Sequence, residues 1–180
     1  MEVILGKHSY IGEGFHTEWE TTPPIQLRIG KFCSIANGLR ILAGGNHHTD
    51  WATTYPTDKF HGLFPDIGSS ELDGLKLTKG DITIGNDVWI GMNVTIFSGV
   101  HIGDGAVIGA FSVVTRDITS YSIACGNPAT ERKYRFDLST NLRLKKLAWW
   151  DWDDDKLHKA LPLMLNTDIE KFLNTYEEGR

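Results

Sequence analysis

The feature that most restricts this chain is an apolar residue at every sixth position. The run IGNDVW, IGMNVT, IFSGVH, IGDGAV, IGAFSV, VTRDIT places Ile84, Ile90, Ile96, Ile102, Ile108 and Val114 in strict register. The fifth position of each unit holds only small or β-branched residues: Val88, Val94, Val100, Ala106, Ser112 and Ile118. The same register appears earlier in LGKHSY and IGEGFH (Leu5, Ile11), and in IGKFCS, IANGLR and ILAGGN (Ile29, Ile35, Ile41). A period of six suits neither a helix, with its period near 3.6, nor one long strand. Two inward residues per unit, four apart, suit a short strand followed by a corner, and glycine after the first apolar residue is expected to permit that corner. Three units then close one triangular coil of about 18 residues, and coils stack as parallel strands about 4.8 Å apart. The expected fold is an all-β solenoid, a parallel β-helix with a core of Ile, Leu and Val.

Two stretches break the register. One runs from about Thr17 to Leu27 and carries ETTPP; the other runs from His47 to about Gly80. An insertion of about 35 residues between coils is far longer than an ordinary connection and is usually functional or disordered. Its aromatic residues Trp51, Tyr55, Phe60 and Phe64 argue for order. After IACGNPATERKYRF the pattern turns helical. STNLRLKKLAWWDW has apolar residues at helical spacing, DDDKLHKALPLML is interrupted by Pro162, and Thr167 with Glu170 has the spacing of a capping box. The expected organisation is a β-helix over 1–135 with its loop at about 47–80, and C-terminal α-helices over 136–180 capping the solenoid's open end. Trp149, Trp150 and Trp152 are expected to pack.

With 23 acidic against 18 basic residues, and no long lysine or arginine cluster, nucleic acid is not an expected partner. No apolar stretch approaches the roughly 20 residues that span a bilayer, so a soluble, cytoplasmic protein with no membrane partner is expected. Two cysteines, Cys33 and Cys125, do not make a disulfide framework or a paired metal-ligand spacing. Cys33 falls at an inward fifth position and is expected to be a core thiol.

Hexads broken by a long loop containing GGNHHTDW, followed by ITIGNDVWIG and then GNPA, resemble the xenobiotic acetyltransferases, which comprise the type B chloramphenicol and streptogramin A acetyltransferases. The likeness runs from about Arg28 to WWDW. It implies a left-handed winding, which spacing alone does not give, and a homotrimer with active sites between subunits. It implies acetyl-CoA as donor and a hydroxylated xenobiotic or antibiotic-like acceptor. The catalytic base of the family's asparagine-histidine pair falls on His47. His48 stands where relatives often carry arginine, so no role transfers to it. The cofactor side falls on Trp89, Gly91, Gly109, Ala110, Asn127 and Pro128, with Lys133 placed either to meet a CoA phosphate or simply in solvent. On the acceptor side fall Tyr10, Trp51, Tyr55 and Pro56. The Thr17 to Leu27 segment is shorter than the family's insertion, which leaves the acceptor open.

Histidine suits this chemistry because its ordinary pKa lies near neutrality and its free nitrogen can take the proton of an attacking alcohol. Backbone N–H groups near Trp89 to Gly91 are candidate donors to the oxyanion. A metal reading would need three converging histidines; His101 lacks a partner five residues on, where Ala106 stands, so no metal is expected. Two other readings stay open: a sugar or metabolite O- or N-acetyltransferase, and a β-helix module that only binds a ligand.

Overall fold

The computed structural model describes residues 1–19, 21, 23–66 and 78–177. The parts of the expected loop at 67–77 and of the C-terminal region at 178–180 lie outside the described residues.

Among the described residues, twelve short strands fall into three parallel faces, one strand of each coil per face. The first face holds β1 (Glu2–Leu5), β4 (Gln26–Ile29), β7 (Ile82–Ile84) and β10 (His101–Ile102). The second holds β2 (Tyr10–Ile11), β5 (Ser34–Ile35), β8 (Trp89–Ile90) and β11 (Val107–Ile108), and continues into β13 (Ser122–Cys125) and β14 (Thr130–Tyr134). The third holds β3 (His16–Glu18), β6 (Arg40–Leu42), β9 (Thr95–Phe97) and β12 (Val113–Val114).

The six-residue register becomes the pairing register. Ile84 lies beside Ile102, Ile90 beside Ile108 and Ile96 beside Val114, each 18 positions on. All six first-position residues and all six fifth-position residues of the long run are buried. Ile29 meets Ile84 55 positions on, which is 18 plus an insertion of 37. Leu5 meets Ile29 24 positions on, so the first interruption adds only six residues. It is narrower than the sequence suggested, because Thr17 pairs with Ile41 and Leu27 is fully buried on β4.

The glycines work differently from the expectation. Those at the second position are held there by close approach: a methyl added at Gly85 would lie 2.6 Å from the Asp104 nitrogen of the next coil, and one at Gly91 2.6 Å from that of Ala110. The left-handed turn falls at the fourth position instead, on Asp87, Asn93, Gly99, Gly105 and Phe111.

The helices do not lie across the open end. They run along the corner between the first and second faces, where the fourth-position side chains of successive coils project. Lys7 pairs with Asp154 (2.7 Å) and Lys31 with Asp151 (3.0 Å), while Phe32 packs on Trp149 with ring centres 4.9 Å apart. Arg135 bonds both Asp87 and the Gly105 carbonyl at 2.9 Å. Tyr121 of the last turn joins Leu144, Leu147, Ala160, Phe172 and Leu173 in a second core beside the prism. Apolar ridge meets apolar helix face along the side, and the edge of β13 is paired by the antiparallel β14.

α2 (Leu138–Leu147) is capped by Asp137, which accepts bonds from the Thr140 N–H and hydroxyl, each 2.9 Å long. α3 (Asp154–Met164) continues through Pro162, which forgoes the one internal bond its missing N–H would have made. α4 (Ile169–Glu177) is capped by Asp168 rather than Thr167, with the Lys171 N–H at 3.0 Å. Glu170 does not fold back as a capping box because its carboxylate is taken by Arg143 at 2.8 Å. The tryptophans pack as expected: Trp150 is buried, and Trp152 lies against Phe172 and Tyr176.

The bonds from Thr140 hold the Asp137 carboxyl below the usual carboxylate range. A folded pKa below the unfolded one contributes stability above about pH 4, which is lost as pH falls through the folded value. Asp137→Ala therefore lowers the melting temperature near neutral pH. In thermal melts the gap to the parent protein narrows as pH falls through and below the usual carboxylate range.

Candidate active site

Third-face strand β6 ends at Leu42, and Ala43 and Gly44 are still buried. The chain then leaves the prism through Gly45 and Asn46, so that His47 is the first exposed residue of the long loop. Its Nδ1 lies 2.6 Å from the Thr54 carbonyl oxygen. A carbonyl only accepts, so Nδ1 carries the hydrogen and donates it, and Nε2 keeps its lone pair. The loop thus closes on itself between residues 47 and 54 and presents the imidazole as a proton acceptor.

His48 does something else. Its ring stacks on Trp51 with centres 3.9 Å apart and planes 7° from parallel, and its Nδ1 lies 3.3 Å from the Asp50 carboxylate. These contacts differ from that of His47, whose ring nitrogen bonds the Thr54 carbonyl. Among the described residues no group of three or more His, Cys, Asp or Glu side chains is placed to hold a metal ion. Tyr55 meets Phe60 edge-on at 4.9 Å, and Pro56 leads into a short helix, α1 (Thr57–Leu63). Trp51, Tyr55 and Pro56 are therefore in the same loop as His47.

The remaining site candidates gather on the second face. Pairing aligns Tyr10, Ser34, Trp89, Val107, Ile123 and Lys133 in one outward column. Tyr10 and Trp89 are each 57% exposed, which puts both rings on the outer wall. From Tyr10 to Lys133 is five strand spacings, roughly 24 Å. The Tyr10 hydroxyl is hydrogen-bonded to Ser34, a partner that sequence reading missed.

Beside this column, at the corner toward the third face, backbone bonds stack Gly12, Ala36, Gly91, Gly109 and Cys125 one above another. A methyl added at Gly109 would lie 2.8 Å from the Cys125 Cβ, and Ala110 next to it is exposed. Asn127 and Pro128 occupy the exposed turn between β13 and β14, which is held to the fourth coil by the Ala129 N–H on the Val113 carbonyl at 2.8 Å.

The Trp89 and Gly91 amides, offered by the sequence as oxyanion donors, are already bonded. The Trp89 N–H donates to Ala106 (3.0 Å) and the Gly91 N–H to Ile108 (2.8 Å), because both amides belong to the ladder that joins the coils. Cys33 is buried, and its thiol donates to the Gly85 carbonyl at 3.0 Å. Burial pushes that thiol up, with Asp87 and Asp104 adding to the effect, so it stays protonated and is no nucleophile.

Comparison with known proteins gives the family. Residues 81–116 match the bacterial transferase hexapeptide (six repeats) family. The chain is 42% identical over 144 residues to a chloramphenicol acetyltransferase of Morganella morganii, covering 80% of this chain and 68% of that one. It is 43% identical over 155 residues to a probable macrolide acetyltransferase of Lysinibacillus sphaericus, covering 85% of each. The chain belongs to this family of hexapeptide-repeat acetyltransferases.

As a member of that family the protein is an acyltransferase, which sets aside the module that only binds. Among solved structures, the polysialic-acid-specific acetyltransferase NeuO superposes with a TM-score of 0.56 at 32% identity. That match covers 74% of this acetyltransferase and spans about half, 52%, of NeuO. A Vibrio cholerae hexapeptide-repeat acetyltransferase solved with acetyl-CoA shares the fold, with a TM-score of 0.50 at 24% identity over 73% of this chain and 70% of that one. Among the described residues no helix is long and apolar enough to cross a membrane.

Proposed function

We propose that this protein transfers the acetyl group of acetyl-CoA to a hydroxyl of an apolar, antibiotic-like acceptor, with His47 as general base. One observation carries the reading: the bond from His47 Nδ1 to the Thr54 carbonyl leaves Nε2 as the only ring nitrogen able to take a proton. As the acceptor oxygen attacks the thioester carbon, Nε2 removes the hydroxyl proton. Collapse of the tetrahedral intermediate re-forms the carbonyl, breaks the carbon–sulfur bond and expels the CoA thiolate. The imidazolium returns its proton to that sulfur, so no acyl-enzyme forms.

The donor is assigned to the second-face column, with Lys133 toward the CoA phosphates, Trp89 near the acetyl end, and the small residues Gly91, Gly109 and Ala110 beside the pantetheine arm. Asn127 and Pro128 border the same path. Trp89→Ala then raises KM for acetyl-CoA about 3- to 10-fold, the worth of one aromatic contact, in steady-state assays. Tyr10, Trp51, Tyr55 and Pro56 face the acceptor, and their aromatic surface suits an apolar one.

The loop carrying His47 leaves the third face, whereas Trp89 and Tyr10 lie on the second. That arrangement suits a site shared between neighbouring chains, and with it a left-handed homotrimer in the cytoplasm. Light scattering giving a monomer mass would remove the shared site.

A second reading, transfer to a sugar hydroxyl, has the likeness to NeuO in its favour. A thiol-release assay with acetyl-CoA separates the two. Turnover with streptogramin A or chloramphenicol supports the first, and turnover with carbohydrate acceptors alone supports the second.

A further inference from the structure

We propose that Trp19 is a positioning residue for His47, whose indole, laid over Gly45, fixes the angle at which the long loop leaves the third face. The inference rests on the reading of His47 as base. The last ladder bond between β3 and β6 runs from the Ala43 N–H to the Glu18 carbonyl, 3.1 Å. Trp19 follows Glu18 directly, and Gly45 comes two residues after Ala43. Both sit in the left-handed region, Trp19 at φ 59° and Gly45 at φ 76°. That conformation is unfavourable for a side chain as large as indole and persists only where the surroundings hold it.

A methyl added at Gly45 would lie 2.6, 2.8 and 2.9 Å from three carbons of the indole, so the ring is flat against the glycine with no space between. The indole is nevertheless 57% exposed and is no part of the prism core. It lies against the backbone that leads, two residues on, to His47. Any change at Gly45 swings the imidazole, and a displacement of about 1 Å at a catalytic group costs on the order of 100-fold in rate.

The test uses the full chain and compares Trp19→Ala, Trp19→Phe, Gly45→Ala and the double variant Trp19→Ala/Gly45→Ala. Trp19→Ala is expected to lower kcat about 10- to 100-fold. KM for acetyl-CoA and the melting temperature should hold, and Trp19→Phe should recover most of the rate. Gly45→Ala should cost less in the Trp19→Ala background than alone, because the ring it would strike is gone.

The imidazole of His47 gives a second readout, independent of turnover. Its Nδ1–H, bonded to Thr54, should give a slowly exchanging, downfield NMR signal in the parent and in Trp19→Phe, and should lose it in Trp19→Ala. An unchanged signal and rate in Trp19→Ala overturns the proposal, as does a rate loss matched by an equal fall in stability. If His47→Ala keeps full activity, the base assignment fails, while the NMR comparison still decides whether Trp19 holds the loop.

Discussion

His47→Ala is expected to lower kcat by about 10²- to 10⁴-fold, the usual range for loss of a general base, with folding and acetyl-CoA binding intact. The imidazole is exposed, and it is tied to the Thr54 carbonyl within its own loop rather than to the prism. Removing it takes away a proton acceptor without opening a cavity. The limb of the kcat/KM profile that reports the free base should vanish with it. Calorimetric titration with acetyl-CoA should give an affinity close to that of the parent. Full activity in this variant would exclude His47 as the base, and loss of acetyl-CoA binding would make its role one of binding.

The second large effect is on stability. Ile96→Ala removes a fully buried side chain at the middle of the prism, where Ile41 lies on one side and Val114 on the other. Truncations of this kind cost about 2–5 kcal/mol, through lost transfer energy and the cavity left behind. Coils stacked on both sides through their backbones have little freedom to close that cavity. At this chain length the loss corresponds to a fall of roughly 4–20 °C in melting temperature, to be compared at one fixed protein concentration. A cost under about 1 kcal/mol would mean that the stack relaxes around the gap.

In the site, His47 was singled out through the resemblance, which puts the family's asparagine-histidine pair on Asn46 and His47; the register adds that it is the first residue after the hexads end. What holds its ring was not legible, since the Thr54 carbonyl is a backbone group that every residue carries. His48 could not be assigned from its position beside His47, because its partner, the stacked ring of Trp51, is set by how the loop folds. Trp19 gave no signal at all, because the residue it touches is 26 positions away and is a glycine.

The helices show the same limit. Their existence followed from spacing, but their place along the corner depends on His8, Phe32, Asp87 and Tyr121 standing in one line. Only the stacking of five turns creates that line.

By itself, the sequence determined what repeats. A period of six admits one way of burying two residues per unit, so coil, core and register follow from local spacing with no distant information. The tertiary structure alone decided which residues far apart in the chain become neighbours. It brought Lys133 into the column of Tyr10 and Trp89, set Trp19 on Gly45, and committed the Trp89 and Gly91 amides to the ladder instead of an oxyanion. Those are long-range contacts, and pairwise geometry of that kind leaves no mark on composition or period.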